Sequence, residues 1–195
     1  MGTEAIGCVL GQQCAPVIAG VKPSNLLIVE KGNQSGLTHV LRGTGLSRYL
    51  LYTSAEKDYW FLFEADGLLG LLHDAQKAQY LRDCGYFTED PNAVLAKLAE
   101  RFKRYKQDDS EFPHEIGILL GYPLRDVKGF IENGGQNFKL SGYWKVYGDV
   151  NYAGQIFGLY EHVKKAVLDL CAQGMCISDI RNRLLTAGDS AFIVG

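Results

Sequence analysis

Long apolar runs are missing from this sequence. No stretch approaches the roughly 18 consecutive apolar residues that a membrane-spanning helix needs, so we expect no membrane partner. The first 20 residues contain an acidic residue and no basic one, which is a poor start for a secretory signal. We therefore expect a cytoplasmic protein.

An excess of charge of one sign is also missing. The chain has 20 basic and 22 acidic residues, and its formal net charge is −2. Binding to nucleic acid or to anionic lipid is usually supported by a clear positive excess. We therefore do not expect a nucleic-acid partner, and we expect the partner to be a small molecule or another protein.

Paired metal-ligand and disulfide patterns are absent as well. The five cysteines, an odd number, are scattered along the chain at Cys8, Cys14, Cys84, Cys171 and Cys176. No CxxC or HxxxH pair occurs, and the five-residue spacing of the last two cysteines is loose for a metal site. We interpret the cysteines as structural thiols of a reducing cytosol, and we predict no metal site and no cofactor.

The composition that is present is that of an ordinary globular protein. Hydrophobic residues make up 47% of the 195 residues and charged residues 22%, which is enough to bury a sizeable core. The length suits one domain. We predict a single domain over residues 1–195, with a C-terminal helix and tail over 174–195.

Strand patterns occur early in the chain and once late. Residues 47–52 and 59–63 are rich in aromatic and β-branched residues and are separated by the polar break TSAEKD, which predicts a hairpin. Residues 138–147 predict a third strand of the same sheet, and residues 26–29 a buried strand or a helical turn. The glycine-rich residues 31–45 predict a loop with one helical turn.

Helical periodicity dominates the remainder, with capping signals at several starts. Asp90-Pro91 is an N-cap followed by proline at the first helical position, and Gly121 suits the left-handed residue after a helix end. Strands followed by clustered helices predict an α+β protein, with a small antiparallel sheet of three or more strands covered by helices. Further helices are predicted at 66–73, 74–84, 113–120, 124–133, 152–172 and 178–185.

Two long segments carry a resemblance to a known family. FPHEIGILLGYPLRDVKGFIEN followed by GYWKVYGD, and CAPVIAGVKPSNL near the N-terminus, resemble the characteristic blocks of the DUF3793 family of bacterial proteins of unknown function. The resemblance spans residues 14–170. It implies a cytoplasmic bacterial protein, and it brings no established activity or catalytic residue, so whether the protein is an enzyme stays open.

Cys14 and His114 form one candidate site. A thiol hydrolase or transferase needs a cysteine with a favoured thiolate, often at a helix N-terminus, and an imidazole that takes the proton. Cys14 precedes Ala-Pro at a possible helix start, and Glu115, Asp126 or Asp149 could orient His114. The plainer interpretation is a small buried thiol and a polar first-turn histidine, since no papain-type or caspase-type flanking signature is present.

Aromatic residues form a second candidate site. The predicted strands contain enough tyrosine and tryptophan to line a pocket for a flat ligand, although strand alternation directs about half of them to the core. We assign the candidate ligand-binding residues as Tyr122, Tyr143, Trp144 and Lys145.

A third interpretation is a helix-turn-helix DNA-binding regulator. Residues 115–131 predict a helix, a glycine turn and a second helix, and residues 168–185 have a similar pattern. The second helix carries Arg125 and Lys128 but also Asp126 and Glu132, so an αα-corner packed on a sheet fits better. The sequence thus favours a ligand- or partner-binding protein, with the cysteine enzyme and the DNA-binding regulator as alternatives.

Overall fold

The chain has the predicted α+β architecture, with helices around two small antiparallel sheets. The structure is a computed structural model and describes residues 3–107 and 111–191. In chain order the elements are α1 (Thr3–Ile18), β1 (Ser24–Glu30), α2 (Gln34–Leu41), β2 (Ser47–Thr53), β3 (Lys57–Phe63), α3 (Ala65–His73), α4 (Ala75–Asp83), α5 (Pro91–Gln107), α6 (Ile116–Leu119), α7 (Leu124–Glu132), β4 (Leu140–Ser141), β5 (Lys145–Val146), α8 (Val150–Ala172) and α9 (Ile177–Ala191).

The chain divides into two compact units. The sheet unit consists of residues 1–64 and 160–195, and the hairpin unit consists of residues 65–159, so the boundary falls inside α8. The single domain over residues 1–195 stays a prediction. None of the helices in residues 3–107 and 111–191 combines the length and the apolar content needed to cross a lipid bilayer.

A three-stranded sheet forms the centre of the sheet unit. Its strand order is β1-β3-β2 and both pairings are antiparallel, so the predicted hairpin of 47–63 is confirmed and residues 24–30 add a strand to it. Leu27 lies opposite Trp60 in the register, and Phe61 and Leu62 are fully buried. The side-chain amide of Gln13 in α1 donates a hydrogen bond to the carbonyl of Ile28 and accepts one from its N–H. These two hydrogen bonds satisfy backbone groups of the edge strand β1.

Residues 31–45 were predicted to form a loop with one helical turn, but helix α2 occupies Gln34–Leu41, so the predicted helix is too short. Glycine-rich composition was the signal for a loop. At Gly36, however, an added Cβ atom would collide with Cδ1 of Ile6 in α1. The glycine there permits close packing of two helices, which composition alone does not distinguish from a turn.

The last helix is held in the sheet unit by a buried arginine. Arg181 is 7% exposed and donates to the carbonyl oxygens of Val17 (2.8 Å), Ile18 (3.0 Å) and Thr44 (2.7 Å). It also forms an ion pair with Glu64. The helix was predicted to end near Leu185, but it continues to Ala191.

Helices with clear capping signals form much of the hairpin unit. Helix α5 begins at Pro91 as predicted, and its buried residues are Val94, Leu95, Leu98 and Phe102. Asp74 caps α4 by accepting hydrogen bonds from the N–H groups of Gln76 and Lys77. Local sequence is therefore enough to place these two starts.

The two helices around Gly121 form a tight corner. Gly121 has φ of +82°, the left-handed conformation predicted for it. The first helix is shorter than predicted, because residues 113–115 form turns whose carbonyls bond three residues ahead, and helix α6 proper spans Ile116–Leu119. The second helix, α7, matches its predicted range closely.

The prediction of one strand over residues 138–147 is wrong. This segment folds back on itself at Gly142, so that Leu140 pairs with Val146 and Ser141 with Lys145 in a two-stranded sheet of its own. Residues 47–63 pair only within the other sheet. A period-two pattern predicts extended backbone, and it does not show where that backbone reverses.

Candidate functional site

Asp126 joins helix α7 to the β4–β5 hairpin. Its side chain is 3% exposed. Its Oδ2 accepts from the indole N–H of Trp144 at 2.7 Å. Its Oδ1 accepts from the backbone N–H groups of Tyr147 at 2.9 Å and Gly148 at 2.6 Å. Three donors thus satisfy one buried carboxylate, and they fix the position of Trp144 relative to the helix.

A glycine brings the helix and the hairpin into contact. At Gly129 in α7, an added Cβ atom would lie 2.5 Å from Cβ of Tyr147. A glycine in the middle of a helix is unfavourable by itself, by about 0.5–1 kcal/mol relative to alanine. Here the lack of a side chain at Gly129 permits the hairpin to approach helix α7 closely, and the hydrogen bonds of Asp126 stabilise that contact.

The corner and the hairpin enclose a pocket of about 240 Å³. Helices α6 and α7 supply one wall, and the hairpin supplies Trp144 and Lys145. The lining is mostly apolar with a small number of polar groups, which is the composition typical of small-molecule sites. The lining residues are Phe112, His114, Ile116, Gly117, Leu120, Tyr122, Asp126, Val127, Phe130, Trp144 and Lys145.

Aromatic rings contact one another along the pocket walls. The rings of Tyr122 and Trp144 lie 5.1 Å apart at 28°, a stacked arrangement. The imidazole of His114 lies between Phe112 at 5.2 Å and Phe130 at 4.9 Å. Rings held by their neighbours offer rigid flat surfaces, which bind a planar ligand with little loss of side-chain freedom.

The ammonium group of Lys145 is the positive charge of the pocket. Its Nζ donates to the carbonyl of Gly135 at 2.6 Å. It also lies 4.9 Å from the ring centroid of Phe138 and 5.7 Å from that of Phe130. Within residues 3–107 and 111–191, no carboxylate forms an ion pair with this lysine. The carbonyl and the two rings are neutral, so the charge of Lys145 can act on an anion.

Tyr122 contributes a hydroxyl that stays protonated. Burial raises the pKa of Tyr122 to about 12. At neutral pH the group is therefore a phenol, which can donate or accept a hydrogen bond. The pocket thus combines a phenol, an imidazole and an ammonium group with aromatic walls.

The structure brings together three of the four residues assigned to ligand binding. Tyr122, Trp144 and Lys145 line one pocket. Tyr143 is not among the lining residues, and its ring lies 5.8 Å from that of Phe157. Binding of a ligand by these residues stays a prediction.

Glu115, assigned to orient His114, is buried beside other groups. It is 4% exposed, accepts from the hydroxyl of Tyr86 at 2.9 Å and forms an ion pair with Arg101. Burial raises the pKa of Tyr86, and the neighbouring Glu115 carboxylate raises it further. These contacts anchor the start of α6 to the preceding elements of the hairpin unit. A role for Glu115 in orienting the imidazole stays a prediction.

Cys14 lies at a break within α1 and is fully buried. Its backbone is non-helical, with φ of −125° and ψ of 15°, two residues before Pro16. Burial raises the pKa of Cys14 to about 12, although a hydrogen bond from Asn25 at 3.7 Å and the charge of Lys22 act in the opposite direction. These surroundings favour an inaccessible, protonated thiol. Its catalysis with His114 stays a prediction.

Sequence reasoning missed several residues of the pocket. Phe112 and Phe130 flank His114, and Asp126 holds Trp144, although none of the three was assigned to ligand binding. The signal available was the concentration of aromatic residues in one stretch of the chain. Which of those rings meet depends on the corner and the hairpin, and both are tertiary features.

Comparison with known proteins identifies a family and no function. The family model described as "Protein of unknown function (DUF3793)" matches residues 10–181. The searches of curated proteins and of solved structures gave no match. The family match covers most of the chain and includes both segments that carried the resemblance. The chain therefore belongs to the DUF3793 family, whose function is unknown.

Proposed function

We propose that the protein is a cytoplasmic binding protein for a small planar anion, held in the pocket of the hairpin unit. The ligand class is a single aromatic ring that carries a carboxylate. The observation that carries the proposal is that Lys145 and the stacked pair of Tyr122 and Trp144 line the same pocket.

The size of the pocket supports a single-ring ligand. Sites for drug-sized molecules have volumes of about 300–1,000 Å³. This pocket, at about 240 Å³, falls just below that range. A ring with one or two substituents suits such a volume, whereas a dinucleotide does not.

The charges of the lining residues support an anion. Asp126 also lines the pocket, but its oxygen atoms accept from an indole and two backbone N–H groups. Lys145, by contrast, donates to a neutral carbonyl and lies over two aromatic rings. A carboxylate of the ligand would thus meet a positive charge that no carboxylate of the described residues pairs with.

Calorimetric titration tests the proposal with a matched pair of probes. The first probe is 4-hydroxybenzoate, and the second is 4-hydroxybenzamide, which has the same ring and no charge. We expect the benzoate to bind with a 1:1 stoichiometry and the benzamide to bind about tenfold or more weakly, because a hydrogen bond to a charged group contributes roughly 1.5–3 kcal/mol. Equal affinity for both probes would contradict the assignment of an anion.

A lysine pair provides the protein-side control. Lys139 is exposed, also donates to a backbone carbonyl (Gly148, 3.1 Å) and does not line the pocket. We expect Lys145→Met to lower the affinity for 4-hydroxybenzoate about tenfold or more and Lys139→Met to leave it unchanged. Equal losses in both variants would show a general charge effect rather than a site.

The cellular compartment is part of the same proposal. All five cysteines carry free thiols in the structure. Thiols persist in reducing compartments, which supports a cytoplasmic location. Localisation of a tagged full chain by cell fractionation tests this, and recovery from the cell exterior would contradict it.

A further inference from the structure

The imidazole of His114 is a polar group of the pocket whose neighbours are aromatic. Its ring centroid lies 5.2 Å from that of Phe112 and 4.9 Å from that of Phe130. In the part of the chain that the structure describes, neither of its nitrogen atoms forms a hydrogen bond or an ion pair. The side chain is half-buried and lines the pocket, so these nitrogen atoms are left to bond to water or to a ligand.

The charged groups of the same lining are already engaged. The carboxylate of Asp126 accepts hydrogen bonds from an indole and from two backbone N–H groups. The ammonium group of Lys145 is assigned to the carboxylate of the ligand. A second polar substituent of the ligand would therefore meet His114 or the hydroxyl group of Tyr122, and the experiment below separates these two partners.

One aromatic ring relates the imidazole to the ammonium group. Nζ of Lys145 lies 5.7 Å from the centroid of Phe130, the ring whose centroid is 4.9 Å from that of the imidazole. The two polar groups belong to different walls of the pocket, because His114 precedes α6 and Lys145 lies in β5. Two groups that both lie against one phenyl ring are close enough for a single benzene ring with a substituent at each end to reach both.

The backbone at Gly135 fixes the position of the ammonium group relative to this shared ring. An added Cβ atom at Gly135 would lie 3.0 Å from Cζ of Phe130 and 3.5 Å from Nζ of Lys145. The carbonyl of Gly135 accepts the hydrogen bond from Nζ at 2.6 Å. The ammonium group is therefore held beside Phe130 by backbone contacts, and the two ends of the pocket keep a defined separation.

We propose that the ligand carries a hydroxyl group on its ring, opposite the carboxylate, and that His114 binds this hydroxyl group. The inference rests on the proposed function and narrows its ligand class to para-hydroxylated aromatic carboxylates. A neutral imidazole has one N–H donor and one nitrogen acceptor, and a phenolic hydroxyl group both donates and accepts, so either tautomer of His114 finds a partner. An apolar substituent at the same place would leave the imidazole unpaired, which makes His114 a specificity-determining residue.

Calorimetric titration with 4-hydroxybenzoate and 4-methylbenzoate tests the inference. Both probes are anions, and they differ by a hydroxyl group in place of a methyl group of similar size. We expect the wild type to bind 4-hydroxybenzoate about tenfold more tightly, because the methyl group leaves the imidazole without a hydrogen-bond partner. Equal affinity for the two anions would overturn the inference and leave the anion site intact. Binding of neither anion would contradict the proposed function as well.

Variants assign the preference for the hydroxyl group to one residue. His114→Phe keeps a flat ring between the two neighbouring rings and removes both nitrogen atoms, so we expect it to abolish the tenfold preference. His73 is exposed, belongs to the same unit and does not line the pocket, so His73→Phe is expected to preserve the preference. A preference that persists in His114→Phe would overturn the inference, and its loss in Tyr122→Phe would then identify the phenol as the partner.

Nuclear magnetic resonance of isotopically labelled histidine gives a readout in the unaltered protein. The ring-nitrogen resonances of His114 are those that disappear from the spectrum of His114→Asn. We expect 4-hydroxybenzoate to shift them in a saturable way, with a midpoint that agrees with calorimetry, and 4-methylbenzoate to shift them much less. Resonances of His114 that respond equally to both anions, or to neither while 4-hydroxybenzoate binds, would overturn the inference.

Discussion

The indole N–H of Trp144 donates to Oδ2 of Asp126 across 2.7 Å, and this contact joins the hairpin to helix α7. The same carboxylate accepts two backbone N–H groups of the hairpin. One buried side chain therefore fixes the ring that forms a wall of the pocket.

Removing that carboxylate is expected to destabilise the protein strongly. Asp126→Ala leaves an indole and two backbone donors without their acceptor, so we expect a loss of roughly 3 kcal/mol in the free energy of unfolding. Asp149 is the matched control, because it is exposed and caps α8 through the N–H groups of Asn151 and Tyr152. Asp149→Ala is expected to cost about 1 kcal/mol. Urea unfolding measures both losses, and equal values would contradict the role given to Asp126.

The arginine of α9 is expected to be equally important for the sheet unit. Arg181→Met removes the donors to three backbone carbonyls and leaves Glu64 without its ion-pair partner. We expect a loss of about 3 kcal/mol or more. Arg183, two residues further along the helix, is exposed, and Arg183→Met is expected to change stability by no more than about 0.5 kcal/mol. If Arg181→Met lowers the free energy of unfolding as little as the control does, the buried contacts of Arg181 contribute little to stability.

Stability is expected to depend on pH through Lys22. Burial lowers the pKa of Lys22 from 10.5 to about 8, although the neighbouring Cys14 acts in the opposite direction. Between these pH values the unfolded chain binds more protons at this position than the folded chain, so the contribution of Lys22 to stability rises with pH. The difference in unfolding free energy between the wild type and Lys22→Met should therefore rise by roughly 3 kcal/mol from pH 7 to pH 11. A difference that stays flat over this interval would mean that the amine is not desolvated.

Thiol labelling separates the buried from the exposed cysteines. Cys8 and Cys176 are exposed and Cys14 is fully buried. We expect iodoacetamide to label the exposed pair of the native protein first and Cys14 about a hundredfold or more slowly, because labelling of a buried thiol requires local opening. Site-resolved mass spectrometry measures the rates. Rapid labelling of Cys14 near neutral pH would instead support the cysteine enzyme that the sequence suggests.

Local signals in the sequence were enough for elements with well-defined ends. The Asp90-Pro91 start of α5 and the left-handed Gly121 were both predicted from residues a few positions apart. Residues 138–147 and Gly36 were misinterpreted, because a chain reversal and a close helix–helix contact are decided by segments distant in sequence. The same limit applies to the pocket. Tyr122, Trp144 and Lys145 were assigned as aromatic and charged candidates, but the roles of Phe130 and Asp126 depend on tertiary contacts.

Tryptophan fluorescence of a Trp60→Phe variant tests the central claim most directly. The substitution leaves Trp144 as the one remaining tryptophan. The indole N–H of Trp60 has no hydrogen-bond partner among the described residues, so its removal leaves no acceptor unsatisfied. If the pocket binds aromatic carboxylates, titration with 4-hydroxybenzoate should change the Trp144 emission in a saturable way, and the midpoint should agree with calorimetry. Emission that stays constant up to millimolar ligand would contradict the account.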